Sequence, residues 1–486
     1  MLTPIRSWGG SPRFIRGIKG GEVSLMSLSR MDHKISAEQL RNHVAEHIHQ
    51  LIGQTDPVAN PQKILRIEFP CESVNVLAWL NQQKGYEKIY WLDRAGELEM
   101  AGLGVADILQ GERNPDVQKI FAYFQSRLSS KFPRLRYYGG LSFDKMPMNT
   151  EWQPFGQYRF WIPRFELLQT QSDTFFAINL TCEDIRQKNI EPLLLEVSAL
   201  QFPSLESRKF LPKLLARSDQ PNKEDWDKLF VKVKSQLKTG GYEKVVLARK
   251  SLLRFSDPLN PMDLVERLKS QTENCFHFCF QVSPDAAFLG ATPERLYKRI
   301  GRAIESEAIA GTKPRGLTLH EDEQFRNELL NSTKDAAEHR YVVDFIRNAF
   351  IEMCADLTFD PFANLLQLKG GHHLITRFSG RLKNGVEDDH ILTSLHPTPA
   401  VGGYPAQEAL KTIEETEPFN RGWYAGPVGY VGYDSVELVV AIRSGLIHQN
   451  SLSLYAGAGI VAASQSKEEW DEIENKIGSF INVLNS

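Results

Sequence analysis

Apolar and polar positions along this chain follow two rhythms, a helical spacing and a strand alternation, which take turns from about Ile35 onward. SAEQLRNHVAEHIHQLI (36–52) has helical spacing, with Ser36 and Glu38 at its start, and predicts an amphipathic helix. KILRIEFP (63–70) and KIYWLDRAGELEMAGLG (88–104) predict strands, the second pair turning at Ala95-Gly96. DVQKIFAYFQSRLSS (116–130) returns to the helical spacing. LRYYGGLSF, YRFWIPRFELLQT and TFFAINLTC are aromatic and β-rich. The polar, proline-containing stretch 216–223, ARSDQPNK, reads as a junction.

Beyond it, DWDKLFVKVKSQLKTG (225–240) predicts a helix that leads into GYEKVVLARK (241–250). HFCFQVS, AAFLGAT, RLYKRIG and AIESEAIAGT predict strands. Residues 317–357 read as one long acidic helical region. The chain ends in β-rich segments, 423–445 and 452–464, and a final helix. Strands come in antiparallel-looking pairs without strict βαβ alternation. The expectation is an α+β fold: one large two-lobed unit of face-to-face, mostly antiparallel sheets with helices packed outside. Its parts are an N-terminal lobe at 35–215 and a catalytic region at 216–486. Residues 1–34 read as a disordered extension; a transit peptide, or a start assigned too early with Met26 or Met31 as the true one, are the alternatives.

Composition narrows the function. With 486 residues and 42% hydrophobic content, the chain can bury a large core. A net charge of −3 leaves no electrostatic footprint for nucleic acid. Five cysteines without paired-motif spacing fit a reducing, cytoplasmic setting, and Cys275 and Cys279 read as part of an aromatic strand, not a metal site. No apolar run reaches the ~18–20 residues of a membrane span.

Four clusters could carry chemistry. Lys244 heads an apolar run and would share a strand face with Val246 and Ala248; it either snorkels to water or enters a site. Glu294 follows a proline at a strand-to-turn boundary, where a surface turn residue is the plain alternative. Asp335, Glu338 and His339 share one helical face, either a solvated acidic face or a site wall. The Gly457–Gly459 run ends a strand with backbone that an anion could approach. On the helix after it, Glu469, Glu472 and Lys476 line one edge. Ser466 and Glu469 fit a capping box, which gives Glu469 a structural task and favours Glu472 for function. Carboxylates from two helices suggest a hard divalent cation, with Mg²⁺ the natural choice. His372 and His373 enter a strand together, and His373 reads as a hydrogen-bonding residue, not a metal ligand.

Nine stretches carry a resemblance: EKVVLAR, LGATPERL, ESEAIAGTKPRG, STKDAAEHRYVVD, HHLITRFSG, LHPTPAVGGYP, RGWYAGPVGY, AIRSG and AGAGIV…EEWDEIENK. In that order they resemble the chorismate-utilising enzymes over roughly residues 216–486; the N-terminal part matches only loosely. Three positions separate the branches of that family. Lys244 stands where water-adding members carry a base and amine-adding members a glutamine. Ala310 stands where aminodeoxychorismate-forming members place a nucleophilic lysine. LHPTPAVGG (395–403) looks like the isochorismate-forming branch.

The resemblance implies reversible, Mg²⁺-dependent conversion of chorismate to isochorismate. Lys244 would be the general base that activates water for C2, and Glu294 the acid that protonates the C4 hydroxyl as it leaves. Glu338 and Glu472 would bind the metal, with Asp335 and Glu469 beside them. Asp335 stands where relatives often carry glutamate. Arg443 and Tyr424, with the amides of Gly457 and Gly459, would hold the enolpyruvyl carboxylate. Thr312 and His373 would line the ring site, and Lys476 would balance charge. No glutaminase partner is implied, and a monomer is expected. The alternative is a salicylate-forming relative that goes on to eliminate pyruvate. The pathway served (quinone, siderophore or salicylate) stays open here, with quinone supply preferred.

Overall fold

The computed structural model describes residues 36–54, 63–143, 148–186, 191–202, 211–239 and 241–485. The extension read at 1–34 lies outside them. The described strands form two sheets, one of twelve strands and one of ten, and every strand pair is antiparallel. Period-two alternation explains why the sheets stack. In Phe276–Ser283, Phe276, Phe278 and Phe280 face the core shared by the two sheets, while Cys279 faces the other core cluster. The shared core is aromatic: Trp91 meets Tyr430 with ring centroids 6.0 Å apart, and Trp161 meets Phe280 at 5.9 Å. The other cluster packs helices Lys223–Lys238, Pro261–Gln271 and Ser466–Asn485 on the twelve-stranded sheet through Trp226, Leu264 and Ile473. This is the expected α+β architecture.

Two local expectations change. The polar stretch 216–223 completes strand Leu214–Gln220, which pairs with Lys244–Phe255, and then supplies Asn222 as the N-cap of the next helix. An exposed edge strand tolerates polar residues, so composition there imitates a linker. Each sheet also contains strands from both sides of residue 216. The long acidic region is two helices, Leu319–Asn331 and Thr333–Met353, followed by strand Cys354–Phe359. Ser332 interrupts it: its hydroxyl accepts from the Asp335 N–H and caps the second helix.

Strand Lys244–Phe255 organises the centre. Ser451–Ile460 pairs along one edge, with Val246 opposite Gly459 and Ala248 opposite Gly457. The short strand Gly403–Tyr404, from the LHPTPAVGGYP stretch, pairs beside Lys244 itself. Buried Arg421 donates to Val246 O and Val401 O, so the two segments are tied by one guanidinium.

Candidate active site

A cavity opens where the two sheets, helix Thr333–Met353 and helix Ser466–Asn485 converge. Glu294, Thr312, Glu338, His373, Tyr424, Arg443, Gly457, Gly459, Glu472 and Lys476, all singled out in the sequence, line it. Lys244 is fully buried beside it, with Nζ 3.0 Å from Glu338 Oε1. Strand alternation does place Lys244 on the face of Val246, which lines the cavity, so the side chain does not snorkel to water. Burial alone would raise the Glu338 carboxyl, but Lys244, with Lys476 and Lys334 behind it, holds it below its ordinary value.

Glu294 follows strand Ala286–Thr292 and is only 3% exposed. Its N–H donates to Thr292 Oγ1 and its carbonyl accepts from Val440 N. Burial, with the charge of Glu307 added, pushes its carboxyl up to about 8 against the pull of Lys244 and Lys476. It is therefore a protonated acid at neutral pH, the opposite of a surface turn glutamate.

The acidic face of helix Thr333–Met353 turns inward, not to solvent. Asp335 and His339 are buried, and Glu338 reaches the cavity. His339 shares a hydrogen bond with Thr376 Oγ1 at 2.9 Å. The helix comes this close because strand Ala303–Lys313 has a register shift between Ala310 and Thr312. Gly311 sits there with φ +77°, and a Cβ on it would lie 3.0 Å from Asp335 Cβ.

On helix Ser466–Asn485 the capping-box reading does not hold. Ser466 Oγ donates to Asp227, and the buried Glu469 carboxylate instead accepts from Lys334 Nζ at 2.8 Å. Glu472 pairs with Lys476 at 2.8 Å. Of the two, Glu472 lines the cavity, and Glu469 is buried against Lys334. Lys334 was missed in the sequence, where its position next to Asp335 was the available clue.

The opposite wall carries cationic and N–H donors. Arg443 has no carboxylate partner among the described residues. Its Nη2 lies 2.6 Å from His373 Nε2. A guanidinium can only donate, so Nε2 accepts and Nδ1 carries the proton, which faces Thr312 Oγ1 at 3.0 Å and Gly311 O at 3.3 Å. Burial, then Arg443 and Lys476, drive the His373 pKa well down, which keeps the ring neutral. Tyr424 stacks on Tyr455 with centroids 5.3 Å apart. The N–H groups of Val246 and Ala248 donate to Gly402 O and Glu417 Oε1, away from the neighbouring strand. Their partners across the ladder, Gly459 and Gly457, therefore also turn their amides outward, beyond the end of strand Ser444–His448. Lys476 Nζ donates to Gly457 O at 2.8 Å. Cavity residues the sequence reading did not name include Ile309, Ala400, Ile442 and Tyr455; nothing in their spacing distinguishes them from core.

The donor set suits a hard cation. Asp335 and Glu469 are raised first by burial and then by neighbouring carboxylates: Glu338 and Glu472 act on Asp335, and Glu472 acts on Glu469. Each of the two thus lies within electrostatic reach of at least one other carboxylate. No group of three or more His, Cys, Asp or Glu forms a ready-made chelate among the described residues. Mg²⁺ does not require one, since it binds through one or two carboxylates and ligand oxygens.

The family model for chorismate binding enzymes matches residues 48–485. Isochorismate synthase MenF of Bacillus subtilis is 32% identical over 434 residues, 85% of this chain and 92% of that protein. The solved structure of the menaquinone-specific isochorismate synthase MenF from Escherichia coli is 28% identical, with a TM-score of 0.78, covering 91% of this chain and 99% of that one. Anthranilate synthase component I from Streptococcus pneumoniae, 20% identical with a TM-score of 0.67, covers 79% of this chain and 92% of its own and shares the fold. A buried lysine and a protonated glutamate beside a wall that presents Arg443 thus sit on a shared scaffold, and the chain belongs to the chorismate-binding enzymes.

Proposed function

We propose that this enzyme interconverts chorismate and isochorismate with Mg²⁺. The observation that carries the reading is the pairing of buried Lys244 with Glu294, held protonated with its pKa at about 8, at one cavity. Water attacks C2 of the ring, the ring double bonds shift, and the C4 hydroxyl leaves. Lys244 takes a proton from the attacking water, and Glu338 stabilises the ammonium so formed. Glu294 donates its proton to the departing hydroxyl, which leaves as water. The two groups exchange roles in the reverse direction, and because substrate and product are isomers with the same groups on the same ring, the equilibrium constant is expected near one. Arg443, Tyr424 and the amides of Gly457 and Gly459 hold the enolpyruvyl carboxylate, and His373 fixes the guanidinium. Glu338 and Glu472, with Asp335 and Glu469 beside them, would hold Mg²⁺, which would supply positive charge to neutralise the ring carboxylate.

No described helix is long and apolar enough to cross a membrane. The reading is of a cytoplasmic monomer acting without a glutaminase partner. Quinone synthesis is the pathway proposed, in line with the menaquinone-specific role of the Escherichia coli relative. Incubating the protein with chorismate and Mg²⁺, followed by chromatography, tests the reaction. A mixture of isochorismate and chorismate, lost with EDTA and in Lys244→Ala, is expected. Salicylate with pyruvate would replace this reading by that of a salicylate synthase.

A further inference from the structure

The peptide segment that carries Glu294 is held from the N-terminal side of the molecule. The hairpin Lys88–Leu92/Leu98–Leu103 turns through Asp93–Glu97, with Asp93 Oδ1 accepting from Glu97 N at 2.8 Å. That turn presents Arg94. Its guanidinium grips Glu307 through two parallel bonds of 2.6 and 2.7 Å. Arg94 Nη1 also donates to Pro293 O at 2.8 Å, and Glu307 Oε1 accepts from Arg295 N at 2.9 Å. Pro293 and Arg295 are the residues on either side of Glu294. One ion pair therefore clamps both flanking peptides, and Glu307, whose side chain is 2% exposed, places a fixed negative charge near the Glu294 carboxyl.

The geometry points to the Arg94–Glu307 ion pair as the positioning device of the general acid, fixing both its placement and the charge it faces. The inference rests on Glu294 acting as that acid. The groups facing Glu294 are Glu307 from strand Ala303–Lys313, Lys244 from strand Lys244–Phe255, Lys476 from helix Ser466–Asn485, and the Tyr424 phenol. Of the charged three, Glu307 favours the protonated acid, and the two lysines oppose it. Arg94 offsets Glu307 and so keeps its effect in bounds.

Glu307→Gln preserves the acceptor for Arg94 and Arg295 N but removes the charge. The Glu294 carboxyl then ionises earlier, and the alkaline limb of the kcat profile moves to lower pH by about one unit. Arg94→Gln leaves Glu307 uncompensated and moves the same limb upward. Arg94→Lys keeps a cation without the fork; it leaves the limb in place and lowers kcat, because the Pro293 tether and the bidentate grip are lost. The experiment is the pH dependence of kcat and KM for these three variants, beside wild type and Glu294→Gln, with melting temperatures confirming that each folds. An unmoved limb in Glu307→Gln while Glu294→Gln is inactive overturns the positioning role and leaves the acid assignment standing. Full activity in Glu294→Gln removes the acid assignment, and the positioning role falls with it.

Discussion

Lys244 Nζ lies 3.0 Å from Glu338 Oε1, which brings the candidate base into contact with a candidate metal ligand. Three lysines, Lys244, Lys334 and Lys476, each pair with one carboxylate of the acidic cluster. Lys244→Ala should therefore do two separate things. It removes the base, and isochorismate formation should fall by about 10²–10⁴, the range of general-base catalysis. It also frees Glu338 from its lysine partner, so Mg²⁺ should bind more tightly by calorimetry. Full activity would sink the base assignment, whatever the metal affinity.

Glu294 ties stability to pH. Its carboxyl ionises in the unfolded chain near its ordinary value of 4.5 but in the folded protein only at about 8. Between those values the folded state holds a proton that the unfolded state has lost. The contribution is fully present below 4.5 and is lost as pH rises through 8. Glu294→Gln carries no such term. The melting temperature of wild type should therefore fall relative to Glu294→Gln as pH rises from about 4.5 to about 8. A constant difference across that window would show that the carboxyl is not shifted.

Gly459 faces the Lys244–Glu338 pair across the narrow part of the ladder. A Cβ there would come within 2.3 Å of Glu338 Oε1 and 2.9 Å of Lys244 Cε. Gly459→Ala must displace one of them. A stability loss of about 1–3 kcal/mol, typical of overpacking, should accompany at least a hundredfold loss of kcat. Near-normal kinetics would mean that the pair can shift without consequence.

Arg443 has no carboxylate partner among the described residues and rests on neutral His373. Arg443→Lys keeps the charge but loses the fork that suits a carboxylate. KM for chorismate should rise about tenfold or more, with a smaller change in kcat. His373→Ala should raise KM in the same direction by freeing the guanidinium. A change confined to kcat would place Arg443 in the chemical step instead.

Mg²⁺ should stabilise the protein by relieving the repulsion among Asp335, Glu338, Glu469 and Glu472. A melting temperature that rises with Mg²⁺ concentration, and a smaller rise in Glu472→Gln, is the expected pattern. Equal shifts in both proteins would argue that the ion binds elsewhere.

The local pattern of residues was enough for the alternating aromatic strands, the helices and the list of charged candidates, because periodicity and turn chemistry act over a few residues. It was enough to place Lys244 on the face of Val246, since alternation leaves a strand residue two choices. It was not enough to choose between solvent and site for Lys244, Glu294 or the Asp335–Glu338–His339 face. Burial depends on segments far apart in the chain: Glu338 meets Lys244 across 94 positions. The capping motif at Ser466 and the apparent linker at 216–223 misled for the same reason, since Asp227, Lys334 and strand Lys244–Phe255 compete for those residues only after folding. The grip of Arg94 on Glu307 joins residues 213 positions apart. No local pattern encodes it; only the stacking of two sheets brings that guanidinium to the segment that carries the acid.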